Sequence, residues 1–119
     1  IILGWASREE MYAHIDARVD EMVRHGLFAE VEALLAEGLS PGSTAMQAIG
    51  YKEAAAALRG ECSRAEAVET IKRETRRYAK RQLTWLRRRE GALRIDWQGE
   101  PDFASAVRDS TEYLLRCGI

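Results

Sequence analysis

The sequence predicts a mainly α-helical chain with one short strand near each end. Apolar residues recur every three to four positions through most of the chain, and two Ser-x-x-Glu sequences can each begin a helix. Two short segments, about 1–5 and 93–97, instead have the composition of strands. With 119 residues, 46% of them hydrophobic, the chain can form one domain with a modest core. No apolar run is long enough to span a bilayer.

The first third of the chain is predicted to contain a strand followed by two helices. Residues 1–5 are apolar and begin with β-branched side chains, which favours a buried strand. Ser7 and Glu10 have the spacing of a capping box, in which each side chain reaches the other residue's backbone amide. The helix that follows is expected to end at Gly26, and a second apolar-faced helix at Gly38.

The middle of the chain is less regular. Residues 39–44 contain proline, glycine and serine and are predicted to form a loop. Residues 45–51 have no clear periodicity, so both helix and loop remain open for them. Residues 52–58 are rich in alanine, which favours a helix.

The longest predicted helix begins at a second capping box, Ser63 and Glu66, and runs to about Glu90. Residues 93–97 alternate and predict a strand, and Asp102 can cap a last helix. Two such short strands bury little against each other. We therefore expect them to belong to a sheet whose other strands lie outside this chain.

Basic residues are concentrated in the long helix. The formal net charge is −1, but the segment from Lys72 to Arg89 contains nine basic residues and one acid, Glu74, for a local charge of +8. Like charges four apart in a helix repel each other, and a bound polyanion such as RNA removes that repulsion. The alternative is a solvated face balanced by the acidic remainder. Tyr78 and Trp85 lie within the segment and can stack on bases, although core packing explains each of them taken alone.

No catalytic or metal-binding constellation is visible. His14 and His25 are isolated, and neither has metal-ligand spacing. Asp16 and Asp20 lie four apart on one helix, where we expect ion pairs with the arginines of the same segment. A phosphate-binding glycine loop followed by Lys-Ser/Thr is absent from the sequence.

The cysteines indicate the compartment. Cys62 and Cys117 form neither a metal motif nor a disulfide framework, and the chain does not open with a secretory signal. So sparse a use of cysteine favours a reducing compartment, and we expect a cytoplasmic protein with no membrane partner.

Two strings in the sequence resemble a known family. They are AMQAIGYKE (residues 45–53) and KRETRRYAKRQLTWLR (residues 72–87), supported by similarity around residues 15–31. Together they resemble the C-terminal half of the tRNA dimethylallyltransferases, also called tRNA isopentenyltransferases. The resemblance covers roughly residues 3–97 with compatible spacing.

The resemblance implies a fold and an activity. The family transfers a dimethylallyl group from its diphosphate to N6 of the adenine next to the tRNA anticodon (position 37 of tRNA), with Mg²⁺ assisting departure of the diphosphate. Its fold is an α/β core with a P-loop like that of ATP- and nucleotide-binding proteins, into which a helical domain is inserted. The P-loop and the aspartate that acts as general base lie in the N-terminal half. Residues 1–119 are therefore expected to be a single C-terminal fragment, inactive alone, whose two strands complete the parent sheet.

The resemblance also implies tRNA contacts at two stretches of this chain. The first stretch is Gln47, Ala48, Ile49, Gly50, Tyr51 and Lys52. The second is Lys80, Arg81, Gln82, Leu83, Thr84, Trp85, Leu86 and Arg87. The lysines and arginines suit phosphates, whereas the aliphatic side chains are expected to support the surface rather than to contact tRNA. The basic helix adds three candidate phosphate contacts: Arg73, Arg76 and Arg77. No residue is predicted to be catalytic or to bind a metal.

Two other functions remain open at this stage. One is a stand-alone helical RNA-binding module without catalysis, and the other is a protein-interaction domain whose basic helix binds an acidic partner. Because unpaired strand edges promote association, we also expect the chain to self-associate.

Overall fold

The computed structural model describes residues 1–119 and is mainly helical, as predicted. Two strands, β1 (Ile2–Trp5) and β2 (Arg94–Trp97), lie near the two ends of the chain. The five helices are α1 (Arg8–Arg24), α2 (Leu27–Ala36), α3 (Tyr51–Leu58), α4 (Arg64–Leu86) and α5 (Phe103–Arg116). A single 3₁₀ turn covers Ala45–Gln47 within the segment that the sequence left undecided. None of the helices combines the length and the apolar character needed to cross a bilayer.

The residues group into two compact units. We call Ile1–Ala13 with Arg81–Ile119 the strand unit, and His14–Lys80 the helical unit. The expectation that residues 1–119 form a single C-terminal fragment of a transferase stays a prediction.

The strand unit is built on a parallel pair of strands. β1 pairs with β2 in a register that places Ile2 opposite Arg94 and Trp5 opposite Trp97. At the far end, the amide of Ala6 donates to the carbonyl of Trp97 at 2.8 Å. The strands thus hydrogen-bond to each other, and the further strands expected on either side stay a prediction.

Aromatic packing and a helix cap complete the strand unit. The ring of Trp97 lies 5.9 Å from that of Trp5 and 5.5 Å from that of Phe103, both in edge-to-face geometry. The Oδ1 atom of Asp102 accepts a hydrogen bond from the amide of Ser105 at 3.0 Å. This confirms the predicted cap of the last helix.

The helical unit contains the main hydrophobic core. Val31 of α2 is completely buried, and Met46 and Ile71 are almost so. Alanines of α3 and α4 allow the helices to pack closely. The buried members of this core are Val19, Leu27, Phe28, Val31, Met46, Ala54, Ala55, Ala67 and Ile71.

The two predicted capping boxes differ in detail. At Ser63, the hydroxyl accepts from the amide of Glu66 at 3.1 Å, and the Glu66 carboxylate accepts from the amide of Ser63 at 2.8 Å. At Ser7, the hydroxyl accepts from the amide of Glu10 at 3.1 Å, but the Glu10 carboxylate accepts from the Ser7 hydroxyl instead of its amide. The other Glu10 oxygen accepts from the amide of Gly99 at 2.9 Å, so this long-range contact replaces the reciprocal bond.

The end of α4 was placed too late by the sequence. The helix stops at Leu86, not near Glu90. The amide of Arg88 donates to the carbonyl of Trp85 at 3.3 Å, and that of Arg89 to the carbonyl of Leu86 at 3.1 Å. These three-residue spacings mark a tightened last turn, which charge and apolar periodicity do not reveal.

Candidate nucleic-acid interface

The first predicted stretch, residues 47–52, forms a turn that is exposed except at Gly50 and Tyr51, and we call it the turn segment. It begins at the last residue of the 3₁₀ turn, whose Met46 side chain is 1% exposed and anchors the segment in the core. Ala48 is extended, and Gly50 has φ 102° and ψ −52°, a backbone conformation that strongly favours glycine. The side-chain amide of Gln47 donates to the carbonyl of Pro41 at 3.1 Å, which ties the preceding loop to the segment.

A buried carboxylate holds the centre of the turn segment. The Oε2 atom of Glu53 accepts a hydrogen bond from the amide of Gly50 at 2.7 Å, and the side chain of Glu53 is 6% exposed. The ammonium of Lys52 lies 4.0 Å from the other oxygen of Glu53, while its side chain stays 60% exposed. Glu53 was not predicted as a site residue. Its position in the first turn of a helix, three residues after a glycine, was the available signal.

A second carboxylate holds Tyr51. The phenol of Tyr51, the first residue of α3, donates to Oε1 of Glu30 on α2. This hydrogen bond is the main reason that the pKa of Tyr51 is raised above its ordinary value, since a neighbouring carboxylate favours the protonated phenol. The first predicted stretch is therefore fixed at two points by acidic side chains.

An apolar groove of about 610 Å³ lies within the helical unit beside the turn segment. Two large apolar side chains that line the groove face solvent: Ile49 is 40% exposed and Tyr78 is 48% exposed. The groove brings part of the first stretch together with α1 and α4. Its walls are formed by Ile15, Arg18, Val19, Met22, Gln47, Ala48, Ile49, Ile71, Thr75 and Tyr78.

Acids of α1 neutralise two basic residues of α4. The ammonium of Lys72 lies 2.8 Å from Oδ1 of Asp20, and the guanidinium of Arg76 lies 2.5 Å from Oδ1 of Asp16. Asp20 is the main cause of the raised pKa of Lys72. Asp16 and Asp20 thus form ion pairs as expected, but with α4 rather than with arginines of their own helix. At these two positions the protein itself relieves the like-charge repulsion that was expected to be relieved by a bound polyanion.

The other two candidate phosphate contacts flank the single acid of the basic segment. The guanidiniums of Arg73 and Arg77 lie 3.4 and 2.9 Å from Oε1 of Glu74. Both arginine side chains are more than half exposed, at 52% and 66%. Exposed pairs of this kind hold their partners weakly. Phosphate binding by Arg73, Arg76 and Arg77 stays a prediction.

The second predicted stretch ends α4, and we call residues 80–87 the basic end. Lys80 belongs to the helical unit and the rest of the basic end to the strand unit. The Trp85 ring is 56% exposed, and the guanidinium of Arg89 lies 4.0 Å from its centroid. A shallow pocket of about 410 Å³ is lined by Arg81, Gln82, Trp85 and Leu86.

The remaining members of the basic end divide by exposure. Gln82, Thr84 and Arg87 are exposed, whereas Leu83 and Leu86 are half-buried. The supporting role expected of the two leucines stays a prediction. No three His, Cys, Asp or Glu side chains cluster so as to hold a metal ion, and Cys62 and Cys117 are free thiols.

Next to the basic end, the guanidinium of Arg89 lies over the exposed ring of Trp85. Cationic side chains beside an exposed tryptophan are typical of proteins that bind single-stranded nucleic acid. The model of the IPP transferase family matches residues 1–89 of the 119. The chain belongs to that family.

Individual relatives agree with this assignment. The chain is 45% identical over 108 residues to tRNA dimethylallyltransferase 2 of Geotalea uraniireducens, covering 90% of this chain and 34% of the relative. It is 53% identical over 89 residues to tRNA dimethylallyltransferase of Desulforudis audaxviator, covering 75% and 29%.

Two solved structures have the same fold over nearly the whole chain. The tRNA isopentenylpyrophosphate transferase of Bacillus halodurans superimposes with a TM-score of 0.84 and 36% identity, covering 97% of this chain and 38% of that one. The tRNA delta(2)-isopentenylpyrophosphate transferase of Staphylococcus epidermidis gives 0.86 and 37%, covering 96% and 37%. This chain therefore spans about a third of the length of the relatives that it matches.

Proposed function

We propose that this chain is the C-terminal, tRNA-contacting portion of an enzyme that transfers a dimethylallyl group from dimethylallyl diphosphate to tRNA. The acceptor is N6 of the adenine next to the anticodon, at position 37. The observation that carries the proposal is the family match over residues 1–89, because that range contains both the turn segment and the basic end. Relatives named tRNA dimethylallyltransferase match most of this chain.

The residues of the chain supply binding and orientation. Lys80, Arg81 and Arg87 carry charges that suit the phosphates of an anticodon arm, and the exposed Trp85 offers a face on which a base can stack. An adenine must leave its stack before its N6 can be alkylated, so the enzyme needs a surface that grips the nucleotides around it. The turn segment and the basic end are each proposed to contact tRNA.

The chemistry itself is proposed to lie outside this chain. The P-loop, the general base and the Mg²⁺ that assists departure of the diphosphate are expected in the rest of the parent enzyme. The isolated chain is therefore expected to bind tRNA at the salt concentration of the cytoplasm. It is expected to transfer no dimethylallyl group.

Charge removal at the basic end tests the proposal. The double variant Lys80→Ala/Arg81→Ala should bind a tRNA anticodon stem-loop roughly tenfold more weakly than the unaltered chain near 0.1 M salt, because two phosphate contacts are lost. Fluorescence anisotropy of a labelled stem-loop measures the affinity. The control Arg108→Ala/Arg116→Ala removes two exposed charges from α5 and should leave the affinity unchanged. Equal losses in the two variants would show that only net charge matters and would contradict the assigned contacts.

A further inference from the structure

We propose that Glu30 and Glu53 are positioning residues that fix the turn segment in its RNA-binding conformation before RNA arrives. This inference rests on the proposed function and adds two acidic residues that lie outside both predicted stretches. Neither carboxylate is expected to touch RNA, since each would repel phosphate.

The backbone of the turn segment needs an external hydrogen-bond acceptor. Gly50 is buried, and its amide points to no backbone carbonyl; it donates to Oε2 of Glu53 at 2.7 Å. The amides of Lys52 and Ala54 donate to the carbonyls of Ala48 and Gly50, at 3.2 and 3.0 Å. Without the carboxylate, the buried Gly50 amide would be left unsatisfied, which is a costly state for a backbone group. Glu53 therefore fixes the angle between Ile49 and the start of α3.

The side chain of Tyr51 is fixed in a second way. Its phenol donates to Glu30, which lies on α2 and is 21 residues earlier in the chain. This hydrogen bond ties the first residue of α3 to a helix anchored in the core by Leu27, Phe28 and Val31. The ring of Tyr51 is thereby held in one orientation.

Because both residues are acidic, the change in RNA affinity on their removal has opposite signs for a positioning role and for simple charge repulsion. An acid beside a surface that binds a polyanion lowers affinity through repulsion, so its removal alone should raise affinity. A positioning acid gives the opposite sign, because the ordering that it provides is lost with it. Glu32 serves as the matched control, since it lies two residues away on α2, is exposed and makes no ion pair.

Substitution at Glu30 in the full chain, with an unmodified tRNA anticodon stem-loop as the probe, separates these effects. We expect Glu30→Ala to bind the stem-loop about five- to tenfold more weakly, because a hydrogen bond to a charged group is lost. Glu30→Gln keeps an acceptor for the phenol and should bind within about twofold of the unaltered chain. Glu32→Ala should bind equally or more tightly. Circular dichroism melting of each variant checks that the fold is intact.

An absorbance titration of Tyr51 gives a readout independent of RNA. The chain has four tyrosines, so each curve is corrected with its Tyr51→Phe counterpart. Tyr51 should ionise above its ordinary pKa of 10.0 in the unaltered chain and closer to that value in Glu30→Ala. Glu53→Gln, which keeps an acceptor for Gly50, should retain RNA affinity, and Glu53→Ala should lose it.

The possible outcomes are distinct. If the unaltered chain fails to bind the stem-loop, the proposed function falls and the positioning role falls with it. If the unaltered chain binds but Glu30→Ala and Glu32→Ala bind alike, only the positioning role is overturned. An unshifted Tyr51 titration in the unaltered chain would also overturn it, because the phenol would then not be held by Glu30.

Discussion

At the scale of single residues, the buried side chain of Met46 anchors the turn segment to the core. Met46 is 1% exposed and belongs to the core that joins α1, α2, α3 and α4 within the helical unit. Its amide lies 3.4 Å from the Ser43 hydroxyl, and Gln47 follows it directly. The exposed turn is thus attached to the core through its immediate neighbour.

Truncation of Met46 should therefore be costly. Met46→Ala removes a fully buried side chain and leaves a cavity, so the free energy of unfolding should fall by about 2–5 kcal/mol. Urea denaturation followed by circular dichroism measures the change. Ile49→Ala is the control, since Ile49 is 40% exposed and should lose much less. Similar losses at the two positions would show that Met46 does not anchor the segment.

At the scale of elements, α4 has two functionally different parts. Its first half packs Ala67 and Ile71 into the core, and its Lys72 and Arg76 pair with Asp20 and Asp16 of α1. Beyond Glu74 no further acid follows until Glu90. Lys72 and Arg76 therefore serve the fold through these ion pairs, whereas the charges at the basic end are the ones that we propose to contact RNA.

Substitutions in the two parts should have separate effects. Lys72→Met should lower the free energy of unfolding by about 1 kcal/mol or less near neutral pH, because partly exposed ion pairs contribute little. Its affinity for a tRNA stem-loop should stay unchanged. Arg87→Ala should show the reverse, with weaker RNA binding and unchanged stability. Chemical denaturation and anisotropy on the same preparations check both; a large loss of RNA affinity in Lys72→Met would contradict the division.

The pH dependence of the Lys72 ion pair has a definite sign. The pKa of Lys72 is raised in the folded chain, so its stabilising contribution is fully present below the ordinary value of 10.5. That contribution is lost as pH rises through the raised value. The difference in stability between the unaltered chain and Lys72→Met should therefore persist through neutral pH and disappear only in strong alkali.

Local sequence signals predicted the helices and strands better than they predicted the long-range contacts between side chains. The caps at Ser63 and Asp102 and the alternating pattern of residues 93–97 act over a few residues, so these elements could be located from the sequence alone. The pairing of Lys72 with Asp20, and of Glu10 with Gly99, joins residues far apart in the chain. Such contacts depend on tertiary packing, which periodicity does not encode. The same reason explains why Glu30 was missed as a partner of Tyr51.

At the scale of the whole molecule, family membership and surface chemistry support the proposed role in tRNA binding. The chain covers about a third of its relatives, and it has no cluster of side chains placed to hold a metal ion. Its exposed features include the turn segment and the groove in the helical unit and Trp85 in the strand unit. We propose that this chain recognises tRNA and that the rest of the parent enzyme carries out the transfer reaction.

The salt dependence of binding tests that central claim most directly. Affinity of the chain for a tRNA anticodon stem-loop should be measured by anisotropy from low to moderate salt. If about five phosphates are neutralised, the plot of log affinity against log salt concentration should be linear with a slope of about −4. A slope near zero, or the same affinity for an acidic peptide as for the stem-loop, would contradict the account and favour a protein-binding role for the basic helix.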